Sequence, residues 1–162
     1  MARRKKIPVT PAVRALKTAG VLFELYPYRY IEKGGTAQAA KELGVTEHMV
    51  IKTLVMEDQD RTPFLVLMHG DRKVSAKAVA RELDKKTIRP CDEKAVHRHT
   101  GYLPGGVSPF GTRKRLPVCL EASVRELDIV LINAGKRGLL AELRPVVLEQ
   151  MLKPTLIDAA IS

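Results

Sequence analysis

The sequence predicts an α+β fold, or an α/β fold with a mixed sheet, built as one domain. Three observations carry this. The chain has 162 residues, close to the ~100–150 residues at which domains cluster. Its apolar periodicity falls into about seven strand-like and five helix-like stretches. Several of the strands follow one another through tight turns, as antiparallel hairpins do, instead of alternating regularly with helices. With this many short strands the sheet has the material to close into a barrel. Apolar residues make up 45% and charged residues 28%, which suits a globular core and excludes wholesale disorder.

Residues 1–8 read as a basic N-terminal tail, because Arg3, Arg4, Lys5 and Lys6 repel one another and offer nothing to bury. Residues 9–162 read as one domain, with no repeat, low-complexity block or linker to divide them. The first helix begins with Thr10 as cap and Pro11 in its first turn, and Gly20 ends it. VLFELYPY (21–28) alternates as a strand. Gly34-Gly35 breaks the chain, Thr36 caps a second helix, and Gly44 stops it. VIKTLVME (50–57) and PFLVLMH (63–69) flank Asp58, Gln59 and Asp60 and predict a hairpin. Ser75 caps a helix through Leu83, with Ala76, Val79, Ala80 and Leu83 on one face. KTIRP (86–90) is a short strand, and Asp92 caps a helix to about His99. An irregular stretch covers 100–115. Strands follow at PVCLEA (117–122), DIVLINA (128–134) and LLAEL (139–143). Pro145 opens the last helix, to Leu152, and TLID (155–158) is able to add a strand.

Charge is the most informative bulk property. Lys plus Arg is 28 against 18 Asp plus Glu, a net charge of +10, which favours a polyanionic partner. With four Tyr, three Phe and no Trp, a base-stacking platform and an aromatic-anchored membrane helix are both disfavoured. No apolar run approaches the ~18–20 residues of a membrane span. The basic start meets no apolar segment, so no secretory signal is expected. Two cysteines, Cys91 and Cys119, make no disulfide framework, and a reducing cytoplasm is the default.

Three features exceed what folding requires. Lys52 shares a strand face with Val50, Leu54 and Met56, while Ile51, Thr53, Val55 and Glu57 take the other face. A lysine between largely apolar faces either snorkels from an edge or sits as a cation at the bottom of a pocket. GYLPGGVSPFG (101–111) is long for a plain connection. Gly105-Gly106 lets backbone approach a ligand closely, with successive N–H groups suited to an oxyanion or phosphate, and Ser108 stands beside them. A plain surface loop is the alternative. The third feature is a pair of basic clusters, Arg113-Lys114-Arg115 and Lys136-Arg137, each beside a glycine-containing turn. Converging turns would make them a positive rim around one mouth; separately, each is a solvated charge run. His97 and His99 diverge on a helix, and no zinc spacing occurs, so no metal is expected. Cys91, between a proline and a helix cap, is placed where a lowered thiol pKa is conceivable. Cys119 reads as a strand-packing thiol.

VIKTLV (50–55), TGYLPGGVSPFG (100–111) and INAGKRG (132–138), in this order and spacing, resemble the YbaK/EbsC family. These are free-standing editing enzymes of Cys-tRNA(Pro), similar to the editing domain of bacterial prolyl-tRNA synthetases. The resemblance implies a mixed, mostly antiparallel sheet curled into a partly open barrel and flanked by helices. It implies deacylation of mischarged aminoacyl-tRNA in the cytoplasm, with no cofactor or metal and with prolyl-tRNA synthetase as partner. By position, the family lysine is Lys52, followed by Thr53. Its aromatic near the first strand is Tyr28, its glycine loop is Gly105 and Gly106 with Ser108, and its last pocket turn is Asn133, Ala134 and Gly135. The basic clusters would hold the tRNA acceptor end. Three positions depart from the pattern. Asn133-Ala134-Gly135 stands where Ser-Gly-Gly is found, Leu140 where some members have aspartate, and Gly35 where some have a pocket phenylalanine. The family chemistry is attack of the substrate cysteine's own thiol on its ester, which supplies the nucleophile this chain lacks. Deacylation of another aminoacyl-tRNA by water, as with alanine, and non-catalytic tRNA binding on the same fold are the alternatives.

Overall fold

A computed structural model describes residues 8–162, so the predicted basic tail, but for its last residue, lies outside the described residues. The chain runs α1 (Pro11–Thr18), β1 (Glu24–Pro27), α2 (Gly35–Leu43), β2 (Val50–Asp58), β3 (Pro63–His69), β4 (Lys73–Val74), α3 (Ala76–Glu82), β5 (Ile88–Pro90), α4 (Glu93–Thr100), β6 (Val118–Glu121), β7 (Val130–Lys136), β8 (Leu139–Leu143), α5 (Pro145–Leu152), β9 (Thr155–Ile157) and β10 (Ala160–Ile161). The main sheet has the order β1-β8-β7-β2-β3-β6-β9, with β5 joining β2 as a side branch. β2 pairs antiparallel with β3 and β5, and β8 antiparallel with β1 and β7, while β2–β7, β3–β6 and β6–β9 are parallel. The mixed, mostly antiparallel sheet with flanking helices is therefore present. Its end strands β1 and β9 do not pair, so the hydrogen-bonded path is open.

Alternation sorts the side chains. Ile51 and Val55, Leu65 and Leu67, Val130 and Ile132, and Leu139 and Ala141 converge on one inner core with Val13 and Leu16 of α1, Leu148 of α5, Tyr102 and Phe110. The outer face carries two smaller clusters. α3 packs Val79 and Ala80 on Met56, Phe64 and Val66. α2 packs Ala39 and Ala40 on Val50, Leu131 and Leu140. Lys52 is the outward residue between these clusters, with Val50 on one side and Leu54 and Met56 on the other.

Several boundaries shift for identifiable reasons. The strand expected at 21–28 is ordered into the sheet only from Glu24 to Pro27, because the five-residue β8 offers partners only from Glu142 to Leu139. Thr36 does not cap α2. Gly34 occupies that position without a side-chain bond, and the Thr36 hydroxyl donates instead to the Gly70 carbonyl at 3.2 Å, tying α2 to the end of β3. Ser75 and Asp92 cap as expected, accepting from Ala78 and Ala95. The two-residue strands β4 and β10, which pair with each other, went unread because two residues carry no period.

The start of α1 is a post on which two loops hang. Thr10 caps the helix by accepting from the Val13 N–H at 3.0 Å, and its hydroxyl donates to the Ala134 carbonyl of β7 at 2.5 Å. Gly111 lies against the same turn with φ +65, where a Cβ would stand 2.5 Å from the Pro11 carbonyl oxygen. Gly20 has nearly the same backbone, φ +68, but open space around it. Alanine at Gly20 adds only the left-handed strain of about 1–2 kcal/mol. Gly111→Ala adds a backbone clash as well and is expected to cost about 3–5 kcal/mol. Urea unfolding of the two variants measures the difference.

Candidate active site

The site exists because the sheet forks along β2. On one edge β2 is continuously paired with β3 from Ile51 to Glu57. On the other edge β7 accompanies it only at Val50 and Ile51, and β5 arrives only at Met56. The stretch between has no ladder partner. Val50 accepts from Gly70 on the β3 side, whereas Val55 accepts from the Cys91 N–H on the opposite side. Period-two alternation therefore turns the backbone N–H and C=O of Thr53 toward the open edge. The Thr53 hydroxyl is buried and is the side-chain group left without a hydrogen-bond partner among the described residues. Buried polar groups are as a rule hydrogen-bonded, so this hydroxyl is available to a ligand in the cavity.

A cavity of about 510 Å³ opens over this gap. Lys52 and Thr53 form part of its floor, the first turns of α2 and Leu140 one wall, and the segment from Tyr28 to Lys33 its rim. Gly105, Val107, Asn133, Arg137 and Glu93 complete the other side. Lys52 is half-buried, and no carboxylate comes within ion-pairing distance of it among the described residues. Burial pushes its ammonium pKa below the ordinary lysine value, Glu47 and Asp71 oppose that shift, and Lys73 reinforces it. Burial likewise raises the Tyr28 phenol, offset in part by hydrogen bonding from the Gly138 backbone.

Three loops interlock around the mouth. The Asn133 side chain uses both ends: Nδ2 donates to the Gly105 and Lys136 carbonyls at 3.3 and 3.2 Å, and Oδ1 accepts from Gly135 and Lys136 at 2.7 and 3.2 Å. It thereby closes the bulge between β7 and β8 and fastens the glycine loop to it. Arg137 Nε donates to the Pro104 carbonyl at 2.8 Å, and its guanidinium lies 5.3 Å from the Tyr30 ring centroid, a cation–π contact. Gly105, at φ +85, lets the Tyr30 hydroxyl approach to where a Cβ would be 2.8 Å away. Gly106 meets the Arg137 backbone N at the same distance from a notional Cβ.

The expected residues therefore divide. Lys52, Thr53, Tyr28, Gly105, Asn133 and Arg137 meet at one cavity. Gly106 does not present a free donor, because its N–H donates to the Leu103 carbonyl at 2.9 Å to close the loop's turn. Ser108 is fully buried, its hydroxyl accepting from the Phe110 N–H at 3.2 Å, and it builds the loop rather than lining the cavity. Gly135 gives room to the Tyr102 ring, 2.7 Å from a notional Cβ, and its N–H is taken by Asn133. Lys136 lies in the bulge, outside the cavity lining. The two basic clusters do not form one rim. Arg137 lines this cavity, but Arg115 lines a different cleft with Lys85, Lys153 and Asp58 at the far end of β2. Asp58 stands six residues from Lys52, about 20 Å at ~3.3 Å per residue. Lys114 turns its Nζ to the His99 ring nitrogen at 3.2 Å, and Arg113 packs over Gly101.

Cys91 does not have a lowered pKa. Burial first, then its hydrogen bond to Glu57, pushes the thiol up to about 12, and burial takes Cys119 to about 11. Neither is a thiolate at neutral pH. Sequence reasoning missed Tyr30, Glu93 and Val107. A second tyrosine two residues from Tyr28, in a chain with four, was the available signal for the first. Val107 lies within the 101–111 loop already singled out, and Glu93 is brought to the cavity only by the fold.

The family model of the aminoacyl-tRNA editing domain matches residues 32–151. The chain is 29% identical over 146 residues to the "Putative Cys-tRNA(Pro)/Cys-tRNA(Cys) deacylase EbsC" of Enterococcus faecalis, covering 90% of this chain and 89% of that one. It is 26% identical over 105 residues to the proline–tRNA ligase of Limosilactobacillus reuteri, covering 62% of this chain but 18% of that much longer protein. Among solved structures, hypothetical protein APE2540 superposes with a TM-score of 0.86 at 22% identity, covering 94% of this chain and all, 100%, of the other. A "putative trans-editing enzyme for prolyl tRNA synthetase" superposes at 0.83 and 21% identity, covering 96% and 100%. Through the matched segment, which contains every cavity residue from Glu32 to Leu140, the chain belongs to the aminoacyl-tRNA editing domain family.

Proposed function

We propose that the protein is a deacylase that removes the amino acid from mischarged tRNA, with Cys-tRNA(Pro) as substrate. The observation that carries this is Lys52, a desolvated cation without a carboxylate partner on the floor of a cavity lined by backbone polar groups. Such a group suits an ester carbonyl that gains negative charge as it is attacked. In the reaction, the substrate's thiolate sulfur bonds to its own carbonyl carbon and the bond to the ribose oxygen breaks. The ribose oxygen takes a proton from solvent, and a thiolactone leaves, which makes the step formally a lyase reaction. Lys52 and the N–H groups of Gly105 and Val107, which no other described residue engages, are suited to the developing oxyanion. Tyr28 and Thr53 bound the amino acid. The cationic surface, net +10, suits the acceptor end of the tRNA. Prolyl-tRNA synthetase is the partner the relatives suggest, and the cytoplasm is the compartment that fits this role.

A second reading has one specific observation behind it. Gly35, Asn133 and Leu140, where the chain departs from the family pattern, all line the cavity. They favour a different small amino acid, alanine among them, removed by water. A panel of charged tRNAs decides between these, and a protein that shifts every tRNA in a gel but leaves each ester intact is a binder only.

Lys52→Ala should lower the single-turnover rate by about 100-fold or more, as loss of one oxyanion-stabilising group does, with the melting temperature unchanged. An unfolded variant, or one of normal rate, removes Lys52 from the chemistry. The pH profile follows from the same group. The rate should rise as the substrate thiol ionises near ~8.5. It should fall again as Lys52 loses its proton, at a pH below that of an ordinary lysine because its pKa is lowered. Lys52→Arg, which stays protonated, should lack the falling limb.

The protein's thiols are protonated at neutral pH, so they should be dispensable. Cys91→Ser with Cys119→Ser should keep most of the activity, at a stability loss of about 1–2 kcal/mol. A folded but inactive double variant rules out attack by the substrate thiol and returns Cys91 to consideration as nucleophile. Ser-tRNA(Pro) should be cleaved far more slowly than Cys-tRNA(Pro), because an unactivated hydroxyl is a weak nucleophile.

A further inference from the structure

We propose that the apolar slot on the α3 side of the β2 fork is the seat of an adenine base, the terminal base of the tRNA. The inference rests on the deacylase reading and adds to it where the nucleotide lies. The slot holds about 440 Å³ and shares Lys52 and Thr53 with the larger cavity, so the two meet at the open strand edge. Its walls are Leu54, Met56, Val74, Ala76 and Pro90, with Lys73 at its border. Neither lysine has a carboxylate within ion-pairing distance among the described residues.

This combination is specific in chemical terms. Flat apolar walls accept a ring. Lys73, an unpaired cation at their border, accepts a phosphate. An unladdered strand residue offers one N–H and one C=O side by side, turned here into the gap by Thr53. Adenine presents the complement, the N1 acceptor next to the N6 amine donor. The connection to the cavity fits the same ligand, because the ester is borne on the ribose of that nucleotide. A base in the slot puts its ribose at Lys52 and the ester carbonyl over the cavity floor. The larger cavity offers Tyr28 and Tyr30 as a competing place for the base, but the Tyr30 ring is already covered by Arg137 and by the glycine loop.

The test uses adenosine 5′-monophosphate, purine riboside 5′-monophosphate and cytidine 5′-monophosphate as probes on the full chain, followed by amide chemical shifts. Adenosine monophosphate should move the amides of Thr53, Leu54, Ala76 and Cys91. Purine riboside monophosphate, lacking the amine, should bind about fivefold more weakly, the worth of one hydrogen bond. Cytidine monophosphate should bind more weakly than adenosine monophosphate, having less ring to bury. Ala76→Phe, or the milder Ala76→Leu if the first does not fold, fills the slot and should weaken adenosine monophosphate about tenfold while melting as the parent does. Lys73→Ala should weaken all three probes alike. Shifts that gather at Tyr28 and Tyr30 and ignore Ala76→Leu overturn the proposal, as does no binding at millimolar nucleotide. Deacylation is measured separately. A chain that cleaves no charged tRNA but seats the nucleotide in the slot loses the deacylase reading alone, and one that cleaves tRNA with an unresponsive slot loses this inference alone.

Discussion

The site depends on one constraint: β2 serves two different neighbours along a single edge. β7 leaves after Ile51 and β5 begins at Met56, so about 13 Å of strand edge, at ~3.3 Å per residue, lies without a ladder partner. A gap of this kind is costly where it stays empty, since each unsatisfied buried polar group carries about 1–3 kcal/mol. It is also the feature that gives a ligand something to bind. The open backbone, the orphaned Thr53 hydroxyl and the desolvated Lys52 all follow from the fork. Continuous pairing of β7 with β2 would remove the first and close the edge beside the other two.

The loops over the gap are fastened at several points by side chains. Thr10 and Gly111 fasten the β7 end and the glycine loop to the first turn of α1. Asn133 and Arg137 fasten that loop to the β7–β8 bulge and to Tyr30. Tyr102 closes the loop from inside, donating to the Phe110 carbonyl at 2.5 Å. Much of this irregular backbone is thus fixed by bonds of its own, and little ordering remains to be done when a ligand arrives. Enforced geometry of this kind suits the proposed reaction, in which the protein would supply no nucleophile and only orientation and charge stabilisation.

How much of this could be read from the sequence follows the range of the interactions. Caps at Thr10, Ser75 and Asp92 were legible because a capping bond spans three residues. The β2–β3 hairpin was legible because its turn and its alternation are adjacent. Lys52 stood out because one strand face is apolar on both sides of it. The fork was not legible, since it depends on where β5 and β7, some 30 and 80 positions downstream, choose to pair. Ser108 and Gly106 looked like site residues for the same reason: loop composition reveals a special backbone but not which N–H groups that backbone consumes. The basic clusters shared a composition, and only tertiary packing sends Arg115 and Arg137 to different clefts.

α2 meets the sheet through the methyl groups of Ala39 and Ala40. Contacts that small bring the helix close to the strands and leave no slack, so a larger residue there lifts the helix instead of narrowing the cavity. Gly35, the first residue of the same helix, lines the cavity with open space around it and takes no part in that contact. The tight contact at Ala39 and Ala40 and the open space at Gly35 therefore lie on one helix, about a turn apart. Over evolutionary time the outline of the cavity is free to drift at that end, while the scaffold that holds Lys52 over the fork stays as it is.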